Sequence, residues 1–251
     1  MFAIQTVQLT KIYEKRNLFR NTRTRGVENL ELGIKPGEIF GLLGLNGSGK
    51  TTTIKLILGL LRPTSGEVFI LGQPANSTAV LKKVGYLPEV PYFYRYLTAR
   101  EILKFYANLS GLESPNERVD AILELVGLTE RRNKQLKEFS KGMLQRVGLA
   151  QSLLHDPEVL IYDEPVSGLD PLAVREMRNL LLKLKSQGKT IFLSSHLISE
   201  VEKICDRAAI LVKGKLVRTL EQNEWTVKEG ELERIFVEDV AGSSEMGRIK
   251  I

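Results

Sequence analysis

EIFGLLGLNGSGKTTTIKLILGLL, residues 38–61, is the stretch whose reading decides the fold. It begins as an apolar run, passes through a glycine-rich turn, and continues with apolar residues at helical spacing. Strand, loop and helix therefore follow one another directly. Within it, Gly44, Leu45, Asn46, Gly47, Ser48, Gly49, Lys50 and Thr51 satisfy the pattern G-x-x-x-x-G-K-[ST] in full. Glycines let successive backbone amides turn toward a phosphate, and the helix start adds partial positive charge. Lys50 sets a cation against the β- and γ-phosphates, the Thr51 hydroxyl can ligate magnesium, and Thr52 continues the same first turn. These are the parts of a nucleoside triphosphate site, and they belong to an α/β domain with a mainly parallel sheet.

Open α/β sheets collect their ligands at the carboxyl ends of strands, so a second strand ending in carboxylates is expected. PEVLIYDEP, residues 157–165, supplies it: Val159 to Tyr162 are apolar, and Asp163 and Glu164 follow. Asp163 suits a magnesium ligand, direct or through water, and Glu164 suits the general base that polarises an attacking water. A third apolar run, GKTIFLSS, leads into His196, which at a strand's end can face the γ-phosphate. His155, at a helix-to-strand corner, reads as structural. FSKGM, residues 139–143, precedes another helical run, and Ser140 can cap it, which makes a second anion-binding helix start.

The remaining composition bounds the answer. With 251 residues, 43% of them hydrophobic and 26% charged, the chain can bury a large core or a core with a subdomain. The single cysteine, Cys205, excludes an internal disulfide and reads as a packed helix position. No apolar run approaches the roughly 18 residues of a spanning helix, and no N-terminal signal pattern is present, so this chain by itself is not expected to cross a bilayer. The net charge is 36 minus 30, or +6, and residues 11–25 hold six Lys or Arg against one Glu. Three readings of that stretch stand open: a nucleic-acid arm, attraction to anionic lipid, and a solvated loop between two N-terminal strands.

Taken in order, these motifs resemble the nucleotide-binding subunit of ABC transporters, from the N-terminus to about residue 222. FSKGM stands at the family's signature position, Ser167 to Asp170 (SGLD) matches the D-loop, and His196 matches the switch histidine. The resemblance implies a P-loop NTPase (RecA-like) core, an N-terminal antiparallel β subdomain and an inserted α-helical subdomain at about 90–152. Residues 223–251 resemble a short C-terminal strand-helix extension, with 241–251 expected to be loose. Tyr13 matches the aromatic that stacks on adenine. Glu89 stands where the family has a glutamine that contacts magnesium or the attacking water, and a carboxylate there cannot donate the amide hydrogen bond.

The resemblance further implies ATP and magnesium as ligands, and two nucleotide-binding domains, identical or different, closed head to tail around two ATP molecules. Ser140, Lys141, Gly142 and Met143 would then act on the partner's ATP. It also implies a transmembrane permease partner and a peripheral location at the cytoplasmic face of the membrane. Glu89 and the K-G-M signature resemble the drug, polysaccharide and lipid export branch. A non-transport ABC ATPase of protein assembly or cell division shares the same motifs and is the alternative. DNA-acting relatives split the two nucleotide halves with a long coiled coil, and no sustained heptads separate Gly49 from Ser140 here, so nucleic acid is not the expected partner. Tyr92, Phe93, Tyr94 and Tyr96 read either as helical-subdomain core or as a surface for the membrane partner. Lys141 replaces the glycine of L-S-G-G-Q and either adds charge toward phosphate or points to solvent.

Overall fold

The computed structural model describes residues 1–17, 20–228 and 230–245. Along the chain, β1 (Ile4–Asn17) and β2 (Arg20–Ile34) lead to β3 (Ile39–Leu43) and α1 (Lys50–Ile57). Then come β4 (Ser65–Ile70), β5 (Gln73–Pro74), α2 (Thr78–Leu81) and β6 (Val84–Leu87), followed by α3 (Ala99–Leu109), α4 (Pro115–Leu125) and α5 (Lys141–Leu153). The last elements are β7 (Val159–Asp163), α6 (Pro171–Ser186), β8 (Thr190–Ser195), α7 (Ile198–Ile204), β9 (Arg207–Val212), β10 (Lys215–Glu221) and α8 (Glu231–Glu245). The contacts divide these into two compact units, Met1–Leu81 with Phe192–Ile251, and Lys82–Ile191. The second unit is wider than a helical insertion at 90–152, because β6 and β7 cluster with the helices.

In the first unit, one sheet is antiparallel with order β2-β1-β4-β5, and a second carries β10-β9-β3-β8. β3 and β9 pair in parallel from Phe40↔Arg207 to Leu43↔Ile210. All five residues of β3 are buried, as an unbroken apolar strand covered on both faces must be. β9 and β10 close a hairpin through Lys213 and Gly214, both at positive φ, which is the two-residue turn that matches strand twist. Cys205 is buried, and its sulfur would stand 3.0 Å from a Cβ added at Gly41, so it packs as a core residue.

Residues 11–17 and 20–25 are strand rather than loop, with β1 and β2 in register from Ile12↔Arg25 to Asn17↔Arg20. Ile12, Tyr13 and Thr24 favour extended backbone, and Glu14 lies directly opposite Arg23 and pairs with it at 2.9 Å. Leu18 and Phe19 of the basic stretch lie outside the described residues.

The C-terminal segment also differs from expectation, since α8 continues through 241–245. Its buried Leu232, Ile235 and Phe236 dock it, Asp239 pairs with Arg218 at 2.9 Å, and the Ser243 hydroxyl donates to the Asp239 carbonyl. Residues 246–251 lie outside the described residues. Ahead of α8, the indole of Trp225 is fully buried and donates to the Glu202 carbonyl at 3.3 Å. Trp225→Ala should therefore cost about 3–5 kcal/mol of stability. The check is a denaturant titration followed by circular dichroism, and an unchanged midpoint would show that the indole carries little of the packing.

In the second unit, β6 and β7 pair in parallel from Val84↔Val159 to Leu87↔Tyr162. α5 lies close on β6, since a Cβ added at Gly148 would stand 2.6 Å from Leu87 Cδ1. Thr98 and Glu101 form a reciprocal capping box at the start of α3. His155 is structural as read: its Nε2 lies 3.0 Å from the Val84 carbonyl oxygen. Among the described residues, no helix is long and apolar enough to cross a membrane.

Candidate nucleotide site

The phosphate loop is built in the first unit, between the buried end of β3 and the start of α1. Its glycines are required by geometry at two positions. Gly49 has φ +111, and a Cβ there would stand 2.4 Å from the Gly26 carbonyl oxygen; at Gly44 a Cβ would stand 2.3 Å from Ser48 Oγ. Gly49 caps α1 with no side-chain hydrogen bond, so the amides of the first turn have no side-chain acceptor at the cap. Lys50 is 6% exposed, and its ammonium donates to the carbonyls of Gly44 at 2.7 Å and Leu45 at 3.4 Å. Ser48 is 5% exposed, yet its hydroxyl has no hydrogen-bond partner among the described residues. A buried donor without an acceptor, next to a held cation and an uncapped helix start, fits the oxygens of a polyphosphate. Thr51 is exposed in the first turn and open to a metal ion, and Leu45, Asn46 and Gly47 are exposed on the loop's rim.

Tyr13 is brought to the same helix. Its hydroxyl lies 3.3 Å from the Thr52 hydroxyl, and the Lys11 ammonium stands 5.6 Å from the ring centroid. Gly26 lies under the ring, where a Cβ would come within 2.7 Å of Tyr13 Cε2. The ring is 40% exposed, which leaves surface for a planar group. His196, also in this unit, follows β8 and is exposed; the Ser195 hydroxyl sets the turn there by accepting from the Leu197 amide at 2.9 Å.

Two positions escaped the sequence reading. Gly214 donates its amide to the Ser48 carbonyl at 2.7 Å and accepts from the Glu28 amide at 2.7 Å, so the β9–β10 turn holds the phosphate loop from behind. The Lys213–Gly214 pair between two apolar runs is a hairpin signal that could have located that turn. Gly26, the seat for Tyr13 and neighbour of Gly49, carries no local signal at all.

The second unit holds the carboxylates and the second anion-binding loop. Asp163 closes β7 in a buried position, and the adjacent Tyr86 hydroxyl has its pKa pushed up to about 12 by burial and by the Asp163 charge. Glu164 is buried and has φ +49, a left-handed conformation that costs a non-glycine residue about 1 kcal/mol or more. Its carbonyl accepts from the Ser167 amide, forming the turn into the D-loop. Glu89 is exposed two residues beyond Leu87 on β6, as Glu164 is two beyond the paired Tyr162 on β7.

The signature loop packs on the D-loop of its own chain. Ser140 caps α5 by accepting from the Met143 amide at 3.3 Å, and Asp170 caps α6 by accepting from the Ala173 amide at 2.9 Å. A Cβ added at Gly142 would stand 3.4 Å from Ala173 Cβ, and one at Gly168 would stand 2.3 Å from Lys141 Nζ. Lys141 therefore lays its ammonium against the D-loop, which neither sequence reading anticipated. Of the aromatic run, Tyr92, Tyr94 and Tyr96 are exposed, the first by 89%, while Phe93 packs edge-on to Tyr106 with centroids 6.4 Å apart. The core reading survives only for Phe93.

Known proteins resemble this chain in sequence and in fold. The ABC transporter family model matches residues 27–167. An uncharacterised ABC transporter ATP-binding protein of Nostoc is 48% identical over 219 residues, covering 86% of this chain and 65% of that protein. The bacitracin transport ATP-binding protein BcrA of Bacillus licheniformis is 44% identical over 220 residues, covering 86% and 69%. The chain spans about two thirds or less of the length of the first curated relatives, 65% and 62%. A solved ATP-binding subunit of an ABC transporter is 30% identical with a TM-score of 0.78, covering 94% of this chain and 99% of that one. A dimeric ATP-binding cassette in a post-hydrolysis state with ADP and phosphate is 27% identical with a TM-score of 0.78, covering 87% and 98%. The α/β fold of a P-loop NTPase, read from residues 38–61, is thus the fold of its structural neighbours. The chain belongs to the ABC transporter family, as an ATP-binding domain.

Proposed function

We propose that this chain binds and hydrolyses ATP and drives solute export through a separate transmembrane partner, by ATP-dependent closure of two nucleotide-binding chains head to tail. The observation that carries the reading is the Lys50 ammonium, held by loop carbonyls at an uncapped helix start beside the buried, unpartnered Ser48 hydroxyl. Lys50 and the first-turn amides bind the β- and γ-phosphates, and Tyr13 stacks on the adenine. Thr51, Asp163 and Glu89 are the residues that would hold magnesium, which when bound would supply positive charge against the phosphates. Glu164 accepts the proton of the attacking water, and His196 orients on the transferring phosphoryl group.

Ser140, Lys141, Gly142 and Met143 face the ATP held by the partner, and Ser167 and Asp170 of the D-loop cross the same interface. The exposed Tyr92, Tyr94 and Tyr96 offer an aromatic surface to the membrane subunit, which would keep the chain peripheral at the cytoplasmic face. The export direction is supported by the likeness to BcrA, whose name states bacitracin transport.

The test is magnesium-dependent ATP turnover by purified protein, together with co-purification of a polytopic membrane subunit from its native membrane. Turnover without any such subunit would favour a non-transport ATPase. Ser140→Arg should reduce turnover at least about 100-fold while leaving nucleotide affinity of the single chain unchanged, because the bulky cation occupies the interface and not the chain's own phosphate loop. Titration with a fluorescent ATP analogue beside a phosphate-release assay separates the two. Unchanged turnover would remove the signature loop from the mechanism.

A further inference from the structure

We propose that the far end of the β1–β2 ribbon, marked by Lys15, Arg16 and Arg20, is a contact for anionic phospholipid, which the ribbon meets end-on. The inference adds a lipid contact to the peripheral location proposed above, and rests on that reading for the nearness of a membrane. β4 accompanies β1 only as far as Thr10↔Ser65, whereas β1 and β2 stay paired from Ile12↔Arg25 to Asn17↔Arg20. Residues 11–17 and 20–25 therefore form a ribbon two strands wide and roughly 20 Å long. Among the described residues, no further strand pairs with this stretch. A two-stranded ribbon has little stability of its own in water, and its free edges invite other chains, so it points to a surface that covers it.

Charge selects the surface. Residues 11–25 hold six Lys or Arg against one Glu, a net of +5 in a chain of net +6. Toward the root these charges are engaged: Lys11 donates to the Arg62 carbonyl at 2.7 Å, Arg23 pairs with Glu14 at 2.9 Å, and Arg25 pairs with Glu28 at 2.8 Å. Farther out, residues 15–22 contain three cations and no acid. By register, Lys15 and Arg20 fall on the face of Tyr13, and Arg16 falls on the opposite face with Arg23. A ribbon that reads a nucleic-acid groove lays one face into it, so a single cationic face is expected there. Cations on both faces at one end fit instead a planar layer of phosphates approached end-on, with headgroups all around the tip. Each Lys or Arg near an anionic leaflet strengthens binding severalfold, and the effect decays over a Debye length.

The experiment is co-sedimentation of the purified chain with vesicles of phosphatidylcholine alone, and of phosphatidylcholine mixed with phosphatidylglycerol, at low and high salt. The chain should bind the mixed vesicles and not the neutral ones, and less tightly at high salt. Lys15→Gln, Arg16→Gln and Arg20→Gln combined should weaken that binding about 100-fold, while Lys15→Arg, Arg16→Lys and Arg20→Lys combined should preserve it. ATP affinity should stay unchanged in both variants, because Tyr13 is tied to Thr52 of α1 at the ribbon's root. No binding to the mixed vesicles, or binding that survives in the glutamine variant, overturns the contact; the charges then only guard the ribbon's free edges. Tighter binding to duplex DNA than to vesicles, lost in the glutamine variant, overturns it in favour of a nucleic-acid arm. None of these outcomes bears on the permease-coupled reading, which fails by its own test, ATP turnover without a membrane subunit.

Discussion

Lys50→Ala is expected to abolish ATP binding, with affinity falling at least about 100-fold, or roughly 3 kcal/mol. The ammonium is buried, and its hydrogen bonds to Gly44 and Leu45 close the loop around the space where the phosphates would lie. Removal takes away the cation that offsets phosphate charge and leaves the Gly44 carbonyl without that donor, so the loop loses charge and shape together. The fold should survive, because α1 and β3 are held by apolar burial at Ile54, Ile57, Leu42 and Leu43. Calorimetric titration with ATP, run beside a thermal melt, checks both halves of the expectation. Tight binding retained by a folded variant would defeat the assignment of the phosphate loop.

Glu164→Gln is expected to lower the hydrolysis rate by about 10² to 10⁴, the usual worth of a positioned general base, while ATP affinity stays within a few-fold. Gln preserves the size of the side chain and tolerates the same backbone, so the left-handed φ of +49 at this position is no worse served than by Glu. What disappears is the proton acceptor. Single-turnover hydrolysis under saturating ATP isolates that step from product release. A variant that hydrolyses at the parent rate would move the base elsewhere.

Different parts of this molecule were legible to different degrees. The phosphate loop could be read in full because each position is fixed by local chemistry: glycines where a Cβ would collide with Gly26 or Ser48, and a lysine within reach of carbonyls five and six residues back. β7 was legible because an unbroken apolar run ending in two carboxylates has few other uses. The support of the loop was not legible. Gly214 reaches Ser48 only because β9 pairs with β3, a long-range relation that no window of sequence contains.

The misread segments have physical reasons as well. A solvated loop was one of three open readings of residues 11–25, yet cross-strand pairing of Glu14 with Arg23 and the extended preference of threonine and tyrosine make 11–17 and 20–25 strand. The 241–245 segment is small and polar by composition, and it is helical because Leu232, Ile235, Phe236 and Asp239 earlier in α8 anchor the helix it continues. Lys141 was undecidable because its neighbour is Gly168, distant in sequence and invisible to helical periodicity.

The central claim is that a working site needs residues from two chains. Its most direct test is the solution mass of Glu164→Gln, measured by light scattering with and without magnesium ATP, alone and combined with Ser140→Arg. The account predicts a particle of twice the chain mass in ATP for Glu164→Gln, a single chain without nucleotide, and a single chain that still binds ATP once Ser140→Arg is added. A single chain in ATP, or a dimer indifferent to Ser140→Arg, would contradict it.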